Sequence, residues 1–348
     1  MELTKRDTKM LQGLSVLAMV CLHLFDRYDY DGLFEPLVFL WGYPLSFYFG
    51  QLCDFCVMGF AFCSGYAHLA MYRMMTPGEY HRASWKRVMT LYCNYWIILN
   101  TFTFVSIVTG QSSHMPGSFW TYLGHVLGVL HTYNESWWYL FTYVILVISS
   151  PAILRWILNQ HSFTILSVSL LVYVMAFLVR YKTGWDTWLA MQAGKLGMTF
   201  FEYVIGAVFC AENVFTKLRS CQHRINKKID TAGSAVIWLL IFGGLLLGRT
   251  LIVPNMIAAP FSGLVILVGF VLIKKPLWLE RLFLLLGKHS TNIWLTHLFF
   301  YAVIFKDFVY IAKYPILIIL FMMMITLGLS SAINALMSPI QKAMSKAK

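Results

Sequence analysis

Long apolar runs separated by short polar segments set the pattern of this chain. Runs of roughly 17 to 25 apolar residues suit an α-helix that crosses the hydrocarbon of a bilayer. Ten can be marked, at about 10–25, 50–74, 88–108, 137–157, 162–181, 196–212, 232–248, 257–274, 289–305 and 315–337. The pattern therefore predicts an all-α integral membrane protein with about ten transmembrane helices in a single bundle. Two further apolar pieces, Pro36 to Phe49 and Phe119 to His131, are too short to span and are expected as re-entrant or interfacial helices on the outer side. No internal repeat is visible, and no polar stretch is long enough to build a soluble core. One transmembrane domain over 1–348 is the simplest division, closed by a small basic tail at about 338–348.

Composition agrees with that picture: 59% of side chains are apolar and only 12% are charged, where a soluble domain carries about a quarter charged. The net charge of +12 does not imply nucleic acid, because the Lys and Arg residues gather at helix ends. With the N-terminus placed inside, all but seven of the 27 fall in inner segments; Arg27, Arg180, Lys182, Lys195, Arg249, Lys306 and Lys313 are left for the outside. Both termini are then cytoplasmic by the positive-inside rule. The seven cysteines lie mostly within apolar spans, which argues against a disulfide framework. Cys53 and Cys56 are spaced like a metal pair, but no second pair or nearby His completes a tetrahedral site, so no metal is expected.

The polar positions inside the spans carry the candidate chemistry. On a helix from Lys9 to Phe25, the residues Lys9, Gln12, Val16, Met19 and His23 fall in one narrow sector. Polar and ionisable groups at membrane depth usually face a bundle interior or a water-filled cavity. With Lys9 at the inner surface, His23 lies about 21 Å up a core of about 30 Å. Glu202, descending about 10 Å from outer-side Lys195, reaches a similar level, so the two are expected to meet, with the carboxylate orienting a general-base imidazole. The bland alternative for each is a hydrogen bond that ties helices together. His297 sits about 13 Å above Lys288, near mid-membrane, either lining the same cavity or packing. At the inner mouth, Arg82, Lys86 and Arg87 precede the third span; they suit phosphate groups, or anchor the helix to anionic lipid.

Several motifs, in order, resemble the membrane acyltransferase-3 superfamily. LQGLSVLAMVCLH is similar to its first-helix pattern of a basic residue, a glycine, and a histidine ten residues beyond the basic one; Gly13 and His23 match, while Gln12 departs at the basic position. FAFCSGY resembles a second-helix signature ending in Ser64, Gly65 and Tyr66. KRVMTLY resembles the third-helix entry with Arg87 and Tyr92, although Thr90 stands where proline is common. FFEYVIG carries Glu202 four residues before Gly206, and GKHSTNIWLTH is similar to a late motif with Ser290 and His297. NESWWYLFTYVILVISSP adds a tryptophan-led fourth span.

The resemblance implies transfer of an acyl group, usually acetyl, from cytoplasmic acyl-coenzyme A as co-substrate to a hydroxyl of a surface polysaccharide. That is O-acetylation in the cell envelope by a multi-pass protein of the plasma membrane, in a bacterium the inner one. It makes His23 and Glu202 the catalytic candidates. Lys9, Gln12, Ser64, Arg82, Lys86 and Arg87 become candidates for holding acyl-coenzyme A, and Tyr66, Trp138 and His297 for the cavity that receives the carbohydrate acceptor. The partners expected are membrane lipid, the acyl donor and the acceptor. An alternative from the same residues is a permease or flippase for a glycan or lipid-linked intermediate, with His and Glu relaying protons. A lipid or small molecule in place of the polymer is the third possibility.

Overall fold

The computed structural model describes residues 2–111, 115–226, 231–251 and 256–346. Lys227, Lys228 and Lys348, assigned above to the inner side, lie outside these residues. Helix α1 spans Lys5–Phe25. It starts where Thr4 and Asp7 form a reciprocal capping box, each side chain accepting from the other's backbone N–H. A two-stranded hairpin follows, β1 (Phe39–Leu40) against β2 (Tyr43–Pro44). Helix α2 (Leu45–Leu52) then runs through a 3-10 turn into α3 (Cys56–Met74). The apolar piece from Pro36 to Phe49 is thus no separate interfacial helix: its first part pairs as a hairpin and its second part opens the next span.

Helix α4 spans Pro77–Thr109, starting eleven residues before the expected 88. The sequence Thr76-Pro77-Gly78-Glu79 explains the early start, since Thr76 and Glu79 form a second capping box and proline is favoured in the first turn. Arg82, Lys86 and Arg87 therefore sit on regular helix and point in directions set by 100° steps. The short α5 (Phe119–Val126) lies in the second expected interfacial piece. Next come α6 (Trp138–Asn159), α7 (Ser162–Tyr181) and α8 (Trp188–Ala211), followed by the basic α9 (Val214–Asn226). The chain continues through α10 (Thr231–Leu251), α11 (Ala259–Leu272), α12 (Leu277–Thr296) and α13 (Pro315–Lys346).

Among the described residues, seven helical stretches are long and apolar enough to cross a membrane: Lys5–Phe25, Leu45–Met74, Pro77–Thr109, Glu135–Asn159, Ser162–Tyr181, Trp188–Ala211 and Pro315–Ile340. The protein is an all-α, multi-pass membrane protein. Two of the other three expected spans correspond to α10 and α11, whose apolar parts are shorter; the third, 289–305, is α-helical only to Thr296, where α12 ends and a 3-10 turn begins at His297.

Helix α1 lies between α12 and α3, and α8 between α3 and α7. Glycines set the closest approaches. A Cβ at Gly13 would lie 2.0 Å from the Phe283 carbonyl oxygen and 3.0 Å from the Gly287 nitrogen, and one at Gly287 would lie 1.9 Å from the Lys9 carbonyl oxygen. Gly65 and Gly206 do the same between α3 and α8, at 1.9 Å from Tyr203 O and 2.1 Å from Phe62 O. Such small-residue contacts let helix backbones touch where no hydrophobic drive exists in lipid. Gly287→Ala is expected to cost about 1–3 kcal/mol through forced separation of α1 and α12. Thermal unfolding in detergent measures it; a Tm equal to that of the parent protein would show that the contact yields.

Candidate active site

A cavity of about 820 Å³ opens along the face of α1 that carries Lys9, Gln12, Met19 and His23. Lys9 to His23 is fourteen residues, so this wall extends about 21 Å along the helix axis. Facing it are Ser64 and Phe60 of α3, Lys86, Arg87 and Asn94 of α4, Trp138 of α6, Glu202 of α8, and Lys288, Ser290 and Asn292 of α12. At the N-terminal end of α1 four cations reach the cavity: Lys9, Lys86, Arg87 and Lys288. The Lys9 ammonium donates to Gln12 Oε1 at 3.1 Å, which carries positive charge to the position where Gln12 has none. Lys288 was read above only as a topology marker, and its place on the wall follows from the α1–α12 contact.

His23 stands at the far end of this wall. Its Nδ1 lies 2.7 Å from Nε2 of His297, the rings stacked with centroids 4.9 Å apart and planes 16° from parallel. Nδ1 of His297 lies 2.8 Å from the Trp294 carbonyl oxygen and 3.2 Å from that of Ile293. A carbonyl oxygen only accepts, so His297 Nδ1 bears the proton and, in the neutral ring, Nε2 is the acceptor. His23 Nδ1 must then donate to it, and His23 Nε2 is left with its lone pair. Two rings and two backbone carbonyls thus fix the tautomer that a general base needs. The pairing rests on register: Gly13 and Gly287 touch, His23 and His297 each lie ten residues further along, and ten residues of helix advance about 15 Å on both sides.

The His23 ring also lines a second pocket of about 440 Å³, together with Arg27, Asp29, Tyr301, Ala302, Lys306 and Asp307. Apart from His23 these residues follow the ends of α1 and α12, so the pocket lies at the end of the bundle opposite the four cations. Arg27 binds Asp29 through Nε at 2.9 Å and Nη2 at 2.6 Å, a bidentate pair, and its Nη1 donates to Tyr310 Oη at 3.2 Å. Tyr310 in turn donates to the Leu24 carbonyl. The Arg27 hydrogen bonds hold the Asp29 carboxyl below its ordinary range. Charge bias places Arg27 and Lys306 on the outer side but gives no sign of a pocket.

The structure gathers most of the sequence-predicted site residues and separates three. Lys9, Gln12, His23, Ser64, Lys86, Arg87, Trp138 and Glu202 all line the large cavity. Arg82 does not: it is exposed, and on α4 it stands one turn nearer the helix start than Lys86, at the edge of the face bearing Lys86, Arg87 and Asn94. Tyr66 is likewise turned off the lining face of α3; its hydroxyl donates to Glu2 Oε2 at 2.6 Å and accepts from the Leu3 backbone at 3.1 Å, near the chain's start. His297 is fully buried and reaches the cavity only through His23. Glu202 makes no hydrogen bond to His23, contrary to the expectation from depth; His297 has that place. The Glu202 side chain is 5% exposed, and its Oε2 has no partner among the described residues. Around it, Lys195 and Arg180 lie over the Trp138 ring at 5.6 and 5.8 Å, and Lys195 donates to His131 Nε2 at 3.0 Å.

A family model described as an acyltransferase domain, the acyltransferase-3 model, matches residues 9–335. No curated protein and no solved structure matches the chain. The matched span contains both histidines, the four cations at the N-terminal end of α1 and the carboxylate of Glu202.

Proposed function

Because the chain belongs to the membrane acyltransferase-3 family, we propose that it moves an acetyl group from cytoplasmic acyl-coenzyme A to a hydroxyl of an exported carbohydrate, with His23 as general base. The observation that carries this reading is the position of His23 on the wall of both pockets. With the termini inside, as the charge bias favours, the large cavity opens at its cationic end to the cytoplasm and the smaller pocket to the outside. Donor and acceptor then approach one imidazole from opposite faces of the membrane.

Lys9, Lys86, Arg87 and Lys288 receive the donor's phosphates. The guanidinium binds them bidentately and the ammonium groups act as point charges. The thioester reaches up the cavity past Gln12 and Ser64. His23 Nε2 removes the proton from the acceptor hydroxyl while that oxygen attacks the thioester carbonyl. The C–S bond breaks as the C–O bond is completed, and His23 returns the proton to the departing thiolate. His297 is a positioning residue that holds the tautomer. Glu202, with one bare oxygen on the cavity wall, takes a hydroxyl of the substrate, not the imidazole. The Trp138 face with Lys195 and Arg180 offers the flat surface and polar tips that suit a sugar ring.

Cells given isotope-labelled acetyl-coenzyme A, with and without the gene, test the reaction: label in surface glycan, as ester, is expected only with the gene. Movement of a glycan without consumption of the thioester would establish the permease instead. Within the donor site, Lys9→Ala is expected to raise the KM for acyl-coenzyme A about fivefold or more, since charged hydrogen bonds contribute about 1.5–3 kcal/mol. Gln12→Ala should raise it less. Steady-state kinetics in detergent decide this, and equal, negligible effects would remove the lower half of the α1 face from the donor site.

A further inference from the structure

Midway along the cavity, three asparagines from three helices meet. The Asn292 amide nitrogen lies 2.9 Å from Ser330 Oγ, 3.3 Å from the Ser330 carbonyl oxygen and 3.0 Å from Asn334 Oδ1. The carbonyl only accepts, so this atom is the nitrogen and the orientation of the Asn292 amide is fixed. Asn292 Oδ1 therefore points the other way, toward α4, where it accepts from the amide nitrogen of Asn94. That bond commits the Asn94 amide too. Its Oδ1 has no partner among the described residues, on a side chain that lines the cavity yet is only 8% exposed.

Leaving a buried amide oxygen without a donor is costly, and a ligand that brings a hydrogen-bond donor to this point removes that cost. The position identifies which. Asn94 lies seven residues above Arg87 on the same face of α4, about 10 Å nearer the His23 end. A donor whose phosphates rest at Lys86 and Arg87 and whose reactive carbon reaches His23 passes this point with the middle of its arm. An acyl or prenyl chain has no hydrogen-bond donor there. The pantetheine arm of coenzyme A carries secondary amides between its phosphates and its sulfur.

We infer that Asn94 Oδ1 accepts a hydrogen bond from a secondary amide N–H of a pantetheine-type carrier, held in place by Asn292 and Ser330. This inference rests on the acyl-coenzyme A reading proposed above and narrows it: the cavity selects the carrier's arm as well as its phosphates.

The test pairs a protein change with a ligand change. Acetyl-coenzyme A and an analogue in which the arm's amide N–H groups are replaced by ester oxygens are compared as donors by kcat/KM in the reconstituted protein. The wild type is expected to prefer the amide about fivefold to tenfold, as one hydrogen bond is worth. Asn94→Ala should be slower with both and prefer neither by more than about twofold, the signature of direct coupling in a double-mutant cycle. The same preference in both proteins would overturn the assignment. Should Asn94→Ala not fold, competition between the unreactive thioether forms of the two donors on the wild type replaces it, and equal inhibition then overturns the inference. A wild type that transfers acetyl from neither donor would instead sink the acyl-coenzyme A reading, and this subsite with it.

Discussion

Replacing His23 with Asn is expected to reduce acyl transfer about 10²–10⁴-fold, the usual contribution of a positioned general base, while leaving the fold intact. The choice of Asn follows from the geometry. His23 Nδ1 donates to His297 Nε2 across 2.7 Å, and a side-chain amide nitrogen can still donate in that direction, so His297 keeps a partner. The lone pair of Nε2, which faces substrate, is what disappears. A hydroxyl is a poor nucleophile unless its proton is taken as the new bond forms, so the loss should appear in kcat. The KM for acyl-coenzyme A should stay, since the cations that hold it lie about three turns or more away along α1. Steady-state kinetics on purified His23→Asn, with thermal unfolding as a control for folding, measures both. Retained kcat would move the base to another residue.

The second large effect is expected at His297, which touches neither pocket. His297→Phe removes the acceptor for His23 Nδ1–H and leaves the imidazole free to rotate or to place its proton on the wrong nitrogen. Misplacement of a reacting group by about 1 Å costs up to roughly 10²-fold, so a fall of about 10–10² in kcat is expected with the KM for acyl-coenzyme A unchanged. His297→Gln, whose carbonyl oxygen accepts where Nε2 did, should recover part of that loss. This rescue separates positioning from packing. If Phe and Gln behave alike, or if Phe changes the KM as strongly as kcat, the role of His297 is structural.

The first helix was legible in the sequence to the level of single side chains. Lys9, Gln12, Val16, Met19 and His23 were assigned to one face by counting alone, and all of them but the fully buried Val16 line the cavity. A regular helix converts spacing into direction, which is why this works within one element. It fails between elements. Glu202 was matched to His23 by depth below an assumed surface, whereas the partner is His297. Those depths were measured from Lys9 and Lys195, and that of His297 from Lys288, as if each marked a membrane face, but all three line the cavity. The true ruler was available and unread: glycine to histidine is ten residues in α1, from Gly13, and ten in α12, from Gly287, and glycines mark where helices touch.

Other differences have equally local causes. Arg82 and Tyr66 carry the expected chemistry but do not line the cavity: Arg82 lies one turn before Lys86, and Tyr66 is turned toward Glu2 on the other side of α3. The start of α4 was readable in the Thr76–Glu79 capping box, which extends the helix below the apolar run. The second pocket was not readable, because it is assembled from residues after two helices far apart in the chain. The same is true of the asparagine station, where orientation depends on three helices at once.

The central claim is that one imidazole serves two pockets on opposite sides of the membrane. Sealed proteoliposomes with the protein in one known orientation test it most directly: acetyl-coenzyme A is supplied on the side of the termini, an acceptor glycan only on the other. Free thiol is expected to appear on the donor side in step with acetyl ester on the acceptor side, and His23→Asn should abolish both together. Transfer that requires donor and acceptor in the same compartment, or glycan movement with no thiol released, would contradict the account.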